Sequence, residues 1–185
     1  MQTKKQTMKK IALAFVCALF LQAATAQSVE VGGAAMYPNK NIIENAVNSK
    51  DHTTLVAAVK AAGLVDALSG VGPFTVFAPT NAAFGKLPAG TVETLVKPEN
   101  KATLTKILTY HVVAGKFDAA AIAAKIKEGN GTASLTTLQG GTLKATMKGN
   151  KLMLTDEKGG MSMVTIKNVY QSNGVIHVID TVVMP

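Results

Sequence analysis

The apolar residues of this chain follow a helical period in its first half and a period of two in its second half. Before Thr132, apolar residues recur three and four positions apart, as they do on one face of a helix. After it, Leu143, Ala145 and Met147 alternate with polar residues, and Gly149 opens a two-residue hairpin loop. A helical half followed by β-hairpins is typical of an α+β domain. The sequence shows no internal repeat, so we expect a single domain.

The first 26 residues have the layout of a secretory signal peptide. A lysine-rich start precedes an apolar run over residues 11–21, and Ala24-Thr25-Ala26 fits the small-residue cleavage pattern. The run is too short to span a membrane, and its alternative interpretation is a buried N-terminal helix. We therefore predict that residues 1–26 are removed and that cleavage near Ala26 leaves a secreted or periplasmic protein.

Residues 27–40 lack periodicity and contain Gly32-Gly33 and Pro38, which predicts a flexible leader. The pattern becomes helical from Asn41, so the domain is predicted to occupy residues 41–185. Within it, Asp51 is the predicted N-cap of a helix that Gly63 ends. After residue 26 no apolar stretch is long enough to cross a membrane, so we expect no membrane span.

The charge and cysteine content exclude several classes of protein. The formal net charge is +8, but four lysines fall within the signal peptide, leaving about +4. Every basic residue is lysine, and nucleic-acid sites depend on the bidentate guanidinium of arginine, so no nucleic-acid partner is expected. Cys17, the one cysteine, also falls within the signal peptide, so the mature domain must be held by core packing without disulfides.

Two segments about a hundred residues apart carry the most specific patterns. Residues 74–84 read as a buried strand, a proline-set turn and a capped helix start. Residues 173–185 read as a turn followed by an apolar strand that contains one histidine and one aspartate. The positions that define these segments are Phe74, Phe77, Pro79, Thr80, Asn81, Phe84, Gly174, His177 and Asp180.

These two segments resemble the two signature blocks of the fasciclin (FAS1) domain family, and the resemblance extends over roughly residues 41–185. It implies an α+β fold, a small two-sheet β-sandwich or wedge with helices packed along one side. It also implies an exported, non-catalytic binding or cell-adhesion module whose partner is an extracellular protein or a matrix or cell-surface component. In the family, the histidine and the acid bond buried backbone groups near the first block, which suggests a structural role for His177 and Asp180.

The residues themselves favour neither catalysis nor a bound metal or cofactor. His177 and Asp180 are three apart in a strand, so their side chains point to opposite faces and cannot form a dyad without a bulge. No serine lies in a G-x-S-x-G elbow, and the three histidines lack metal-ligand spacing. We therefore predict no catalytic residue, no cofactor and no metal.

Tyr110-His111 is the candidate for partner recognition. Relatives from animals carry a tyrosine-histidine pair flanked by bulky aliphatic residues, which is implicated in receptor recognition. The flanking residues here are Ile107, Leu108, Val112 and Val113. A second interpretation stays open, because aromatic and imidazole groups surrounded by aliphatics are typical of a packed core junction.

Two further questions remain open from the sequence. The main alternative to adhesion is a secreted or periplasmic carrier of a small apolar ligand, held between helices and sheets. A single small domain with one binding site cannot bridge two surfaces. A weak homo-oligomer, which would supply a second site, is therefore one of the expected arrangements.

Overall fold

The computed structural model describes residues 28–185, which form seven α-helices, two 3-10 turns and nine strands. The helices are α1 (Ile42–Ala46), α2 (Thr53–Ala62), α3 (Val65–Ser69), α4 (Asn81–Gly85), α5 (Thr91–Leu95), α6 (Lys101–Tyr110) and α7 (Ala119–Glu128). The 3-10 turns are Lys50–His52 and Pro98–Asn100. The strands are β1 (Val29–Val31), β2 (Ala34–Met36), β3 (Phe74–Pro79), β4 (Val112–Ala114), β5 (Thr132–Thr136), β6 (Thr142–Lys148), β7 (Lys151–Thr155), β8 (Met161–Gln171) and β9 (Gly174–Ile179).

Seven of the strands form one curled sheet in the order β4-β3-β9-β8-β7-β6-β5. All neighbours in it are antiparallel except β3 and β9, which run parallel. A bridge between Val113 and Thr137 joins the β4 edge to the residues after β5, so the sheet nearly closes into a barrel. The helical first half and the strand-rich second half confirm the predicted α+β wedge.

The central strands β3 and β9 separate two apolar cores. Both strands are buried on both faces, as parallel strands usually are. Val76 and Ala78 face a core formed with α1, α2, α3 and α6. Phe77, between them in the sequence, faces the inside of the curled sheet, where Ile122 and Ile126 of α7 also pack. Alternate residues of one strand therefore contribute to different cores.

The prediction of a flexible leader was wrong for the part of it that the structure describes. Strands β1 and β2 form an antiparallel hairpin, and Val31 and Met36 are buried against the helical core. Gly32 and Gly33, both at positive φ, form the turn between them. Strands of three residues are too short to show a period of two, so residues 29–36 carry no strand pattern. The predicted signal peptide, residues 1–26, lies outside the described residues.

Among residues 28–185, no helix is both long enough and apolar enough to cross a bilayer.

Candidate functional site

The two signature segments lie side by side in the centre of the sheet. Strands β3 and β9 pair in register from Phe74 opposite Gly174 to Pro79 opposite Ile179. A side chain at Gly174 would collide with the backbone carbonyl of Phe74, so this position requires glycine. The sequence segments that predicted the fold therefore meet directly, although a hundred residues separate them.

The Thr80-Asn81 corner after β3 caps two helices. The Thr80 hydroxyl accepts a hydrogen bond from the Ala83 amide at 3.2 Å, so Thr80 caps α4 as predicted. The Asn81 side chain reaches the start of α2, where its oxygen accepts from the Thr54 amide at 3.0 Å. Its amide group also donates to the Lys50 carbonyl at 2.8 Å.

The prediction that Asp51 caps α2 was therefore wrong. Asp51 lies within the 3-10 turn that precedes α2, and the helix has no side-chain cap from its own N-cap residue, His52. Asn81 supplies the cap from a different part of the chain. A cap 27 residues away leaves no local sequence signal.

Replacing Asn81 with alanine should lower the free energy of unfolding by about 1–2 kcal/mol, because the Thr54 amide and the Lys50 carbonyl both lose their partner. Urea unfolding of the variant and the parent measures this difference. Asn48→Ala is the matched control, since exposed Asn48 makes one side-chain bond, to the Glu44 carbonyl within its own helical segment. Equal effects from the two variants would contradict the capping role of Asn81.

His177 is fully buried, and both of its ring nitrogens are used inside the domain. Its Nε2 donates to the Phe117 carbonyl at 2.9 Å, and its Nδ1 accepts from the Asn168 amide at 3.4 Å. The ring also stacks on Phe77, with the centroids 5.7 Å apart. Burial lowers the pKa of His177, although the Phe117 carbonyl and Asp118 oppose the shift. The residue is therefore a neutral connector between β9 and the loop before α7.

Asp180 binds the start of β8 and lies near the end of α4. Its carboxylate accepts from the Met163 amide at 2.9 Å and from the Thr181 hydroxyl at 3.1 Å. Lys86 lies 3.6 Å away in a partly exposed ion pair, which is worth little on its own. Burial acts to raise the pKa of Asp180, but these hydrogen bonds and Lys86 outweigh it and hold the pKa below its usual range.

His177 and Asp180 share no hydrogen-bond partner, and Asp180 lies one residue beyond the end of β9. A serine-histidine contact occurs elsewhere, where Ser49 Oγ lies 2.9 Å from His52 Nδ1. Both residues are buried, and no carboxylate bonds the other nitrogen of His52. The pair thus lacks both the orienting third group and the access that a catalytic hydroxyl needs. Within residues 28–185, no cluster of three or more histidine, cysteine or carboxylate side chains could hold a metal.

Tyr110 lies in the core inside the curled sheet and is fully buried. Its hydroxyl donates to the Thr142 carbonyl at 2.8 Å and accepts from the Glu157 amide at 3.2 Å. It thereby ties the end of α6 to β6 and to the loop after β7.

His111 is buried beside Tyr110 and also uses both nitrogens. Its Nδ1 donates to the Ile107 carbonyl at 2.8 Å, and its Nε2 accepts from the Val183 amide at 3.3 Å. Burial lowers the pKa of His111 to about 4. The four flanking residues are buried as well: Ile107, Leu108, Val112 and Val113. In the folded chain these six side chains are not on a surface, and their contacts support the core-junction interpretation. Recognition through them stays a prediction that requires this region to open.

Tyr110→Phe should cost about 1–3 kcal/mol of stability, because it leaves the Thr142 carbonyl and the Glu157 amide unpaired while keeping the ring in place. Thermal and urea unfolding test this. Tyr170→Phe serves as the control, since Tyr170 is partly exposed and its hydroxyl bonds an exposed Asp118 oxygen. A loss no larger in Tyr110→Phe than in the control would show that the buried bonds contribute nothing.

Two further polar residues, Asp156 and His52, have specific positions in the structure. The Asp156 carboxylate accepts from the Gly160 amide at 2.6 Å and from the Met184 amide at 2.9 Å, fixing the segment that follows β9. An aspartate ahead of Gly159-Gly160 is a turn signal that could have indicated the first bond. His52 lines an apolar cavity under α2, and nothing in the sequence around it indicated this.

Comparisons with known proteins agree with this architecture. The fasciclin domain model matches residues 50–185, well over half of the chain. Protein sll1483 of Synechocystis is 49% identical over 161 residues, covering 87% of this chain and 82% of that protein. The cell surface glycolipoprotein MPB83 of Mycobacterium bovis is 38% identical over 160 residues, covering 84% of this chain and 64% of its own length.

Among solved structures, a FAS1 domain pair from the insect cell adhesion molecule fasciclin I superposes with a TM-score of 0.70 at 17% identity. The match covers 80% of this chain and about half of that one, 52%, and at this identity it supports the fold alone. With the family match and the 49% identical relative, the conclusion is direct: the chain belongs to the fasciclin (FAS1) domain family.

Proposed function

We propose that this protein is an exported, non-catalytic binding module that acts in cell adhesion through contacts with an extracellular protein or a matrix or cell-surface component. The observation that carries the proposal is that the polar side chains of the two signature segments form their hydrogen bonds inside the domain. Thr80, Asn81, His177 and Asp180 all bond groups inside the domain, mostly of the backbone. Their chemistry stabilises the fold, so a partner must recognise the outer surface.

The relatives support an extracellular setting. One is named a cell surface glycolipoprotein, and the structural neighbour comes from a cell adhesion molecule. The lysine-rich, apolar layout of residues 1–26 supports export, with cleavage near Ala26 giving a secreted or periplasmic form. Determining the mass of the protein recovered from the producing cell tests this: a chain beginning at Gln27 is expected, and an intact Met1 would contradict export.

Adhesion by a single domain imposes a condition on valency. A monomer with one site can occupy a surface but cannot bridge two, so bridging requires self-association or a second binding face. We therefore expect a weak homo-oligomer or a second partner at high local concentration.

The experiment combines surface binding with sedimentation. The exported form is immobilised and presented with cells, matrix proteins and polysaccharide, with urea-denatured protein as the control for fold dependence. We expect saturable binding by the folded form alone, and self-association that grows with concentration in sedimentation. A strict monomer that binds none of these surfaces would contradict the proposal.

The carrier alternative is favoured by one specific observation, the apolar cavity between the helices and the sheet. An adhesion module does not need such a space. A retained small molecule in native mass spectrometry after gentle purification would support the carrier, and a protein of the bare chain mass would count against it.

A further inference from the structure

Three methionines share the outer face of the curled sheet where β7 pairs with β8. Leu152 and Leu154 of β7 point into the core inside the sheet, so Met153 between them points outward. Met153 lies directly opposite Met163 of β8, and Met161, two residues earlier in β8, lies on the same face. Met161 is 55% exposed, and the other two side chains are half-buried. The three thioether groups are therefore neighbours that solvent can reach.

Methionine supplies every apolar side chain on this part of the outer face. The other outward positions of β6, β7 and β8 as far as Thr165 are threonine or lysine. Valine, isoleucine and aromatic residues are the apolar residues that strands favour, and none of them lies here. What methionine adds to an apolar surface is its polarizable sulfur atom.

The spacing of the three methionines allows their sulfur atoms to meet. Directly opposed residues of an antiparallel pair, such as Met153 and Met163, have Cβ atoms about 5 Å apart. Alternate residues of one strand, such as Met161 and Met163, are about 7 Å apart, and the diagonal pair is about 7–8 Å apart. Methionine is unbranched and has three rotatable bonds, so three side chains at this spacing can bring their sulfur atoms around one point above the sheet.

The chemistry of the face selects one class of metal ion. Thioether sulfur is a soft ligand that suits Cu(I), whereas Ca²⁺ and Mg²⁺ require oxygen and Zn²⁺ takes thiolate, imidazole or carboxylate groups. Strands β6, β7 and β8 contain no aspartate, glutamate, histidine or cysteine. Lys144 and Lys151 lie on the same face as Met153, and their charge repels a divalent cation more strongly than a monovalent one. The face therefore favours a soft monovalent ion.

We infer that Met153, Met161 and Met163 form a three-sulfur site for Cu(I) on the outer face of the sheet. The expectation of no metal rested on histidine, cysteine and carboxylate groups, and thioether sulfur is a different ligand. Such a site needs no cysteine, which suits a chain whose one cysteine falls within the predicted signal peptide. The inference is independent of both the adhesion proposal and the carrier alternative.

NMR of the methionine methyl groups tests the site directly. The exported form, which lacks Cys17, is labelled with ¹³C at these methyls and titrated with Ag(I), a redox-stable ion of the same charge and ligand preference. Cu(I) follows under anaerobic conditions, supplied from a chromophoric chelator that reports its transfer. We expect the signals of Met153, Met161 and Met163 to shift together and to saturate at one ion per chain. Zn²⁺ should shift none of them.

Met147 is the matched control for exposure. It is 43% exposed, but it pairs with Leu152 and so lies on the opposite face of the sheet from Met153. Its methyl signal should not follow the other three. Shifts confined to Met161, or equal shifts at Met147, would indicate ordinary exposed thioethers and would overturn the site.

A pair of variants measures the contribution of one sulfur atom. Met163→Leu and Met147→Leu each keep the apolar volume and remove the sulfur. Loss of a group that merely orients a ligand lowers metal affinity about 10–100-fold, so loss of a ligand in Met163→Leu should lower Cu(I) affinity at least about tenfold. Met147→Leu should leave it unchanged. Equal affinities in the two variants would overturn the assignment, and the methyl signals of the parent decide it if a variant does not fold. None of these results bears on adhesion, which is tested without metal.

Discussion

Phe77→Ala is expected to destabilise the domain by about 3–5 kcal/mol, the range for removing a large aromatic side chain from a packed core. Phe77 is 0% exposed and lies in the middle of β3. Its ring contacts the core inside the curled sheet and stacks on His177. The substitution therefore opens a cavity and also removes the ring on which His177 stacks.

Urea unfolding gives the change in free energy, provided that the transition stays two-state. Val71→Ala is the control, because Val71 is 100% exposed and its truncation should change stability by less than about 0.5 kcal/mol. A loss below about 2 kcal/mol for Phe77→Ala would contradict this prediction. It would mean that neighbouring core side chains move into the space that the ring leaves.

Acidification should destabilise the fold between about pH 6.5 and pH 4, because His111 is held neutral. Its ordinary pKa of 6.5 falls to about 4 in the folded chain, while the unfolded chain keeps the ordinary value. Below pH 6.5 the unfolded state therefore binds more protons, and stability falls with pH until His111 is protonated in the folded state too. Over this interval the loss is about 3 kcal/mol, and above pH 7 the contribution is fully present.

The geometry explains why protonation is unfavourable. Nε2 of His111 accepts from the Val183 amide, and a proton on Nε2 would place two donors against each other. His52 and His177 have lowered pKa values as well, so they add to the loss in the same direction. Asp180 and Asp118 have pKa values below 3.8, so their contribution is lost mainly below this window.

Unfolding free energies measured at pH 7, 6, 5 and 4 test this pH dependence. His111→Gln should be less stable at pH 7 yet show a shallower decline, since glutamine does not titrate. A parent protein whose stability is flat from pH 7 to pH 4 would contradict a neutral, buried His111.

The parts of the fold that the sequence predicted correctly depend on contacts between near neighbours. The strand before Pro79, the Thr80 cap and the end of α2 at Gly63 follow from backbone chemistry within a few residues. The pairing of the two signature segments, a hundred residues apart, follows from no such local rule.

What the sequence could not predict depends on distant contacts. Asn81 caps a helix that begins 28 residues earlier, so the local search for a cap selected Asp51 instead. The hairpin of β1 and β2 is held by burial of Val31 and Met36 against helices, with little pattern of its own. Tyr110 and His111 left two interpretations open because the same aliphatic surroundings suit a core or a patch, and burial alone distinguishes them.

The parallel pairing of β3 with β9 also affects how the chain acquires its structure. Thr75 pairs with Val175, so the pairing of β3 with β9 closes a loop of 100 residues. Neither apolar core is complete until these two strands, which border both cores, have paired. Loop closure of this length is an entropic cost that precedes the gain from packing, and it slows folding. A nascent chain whose ribosome has not yet released residues 174–179 cannot complete the domain.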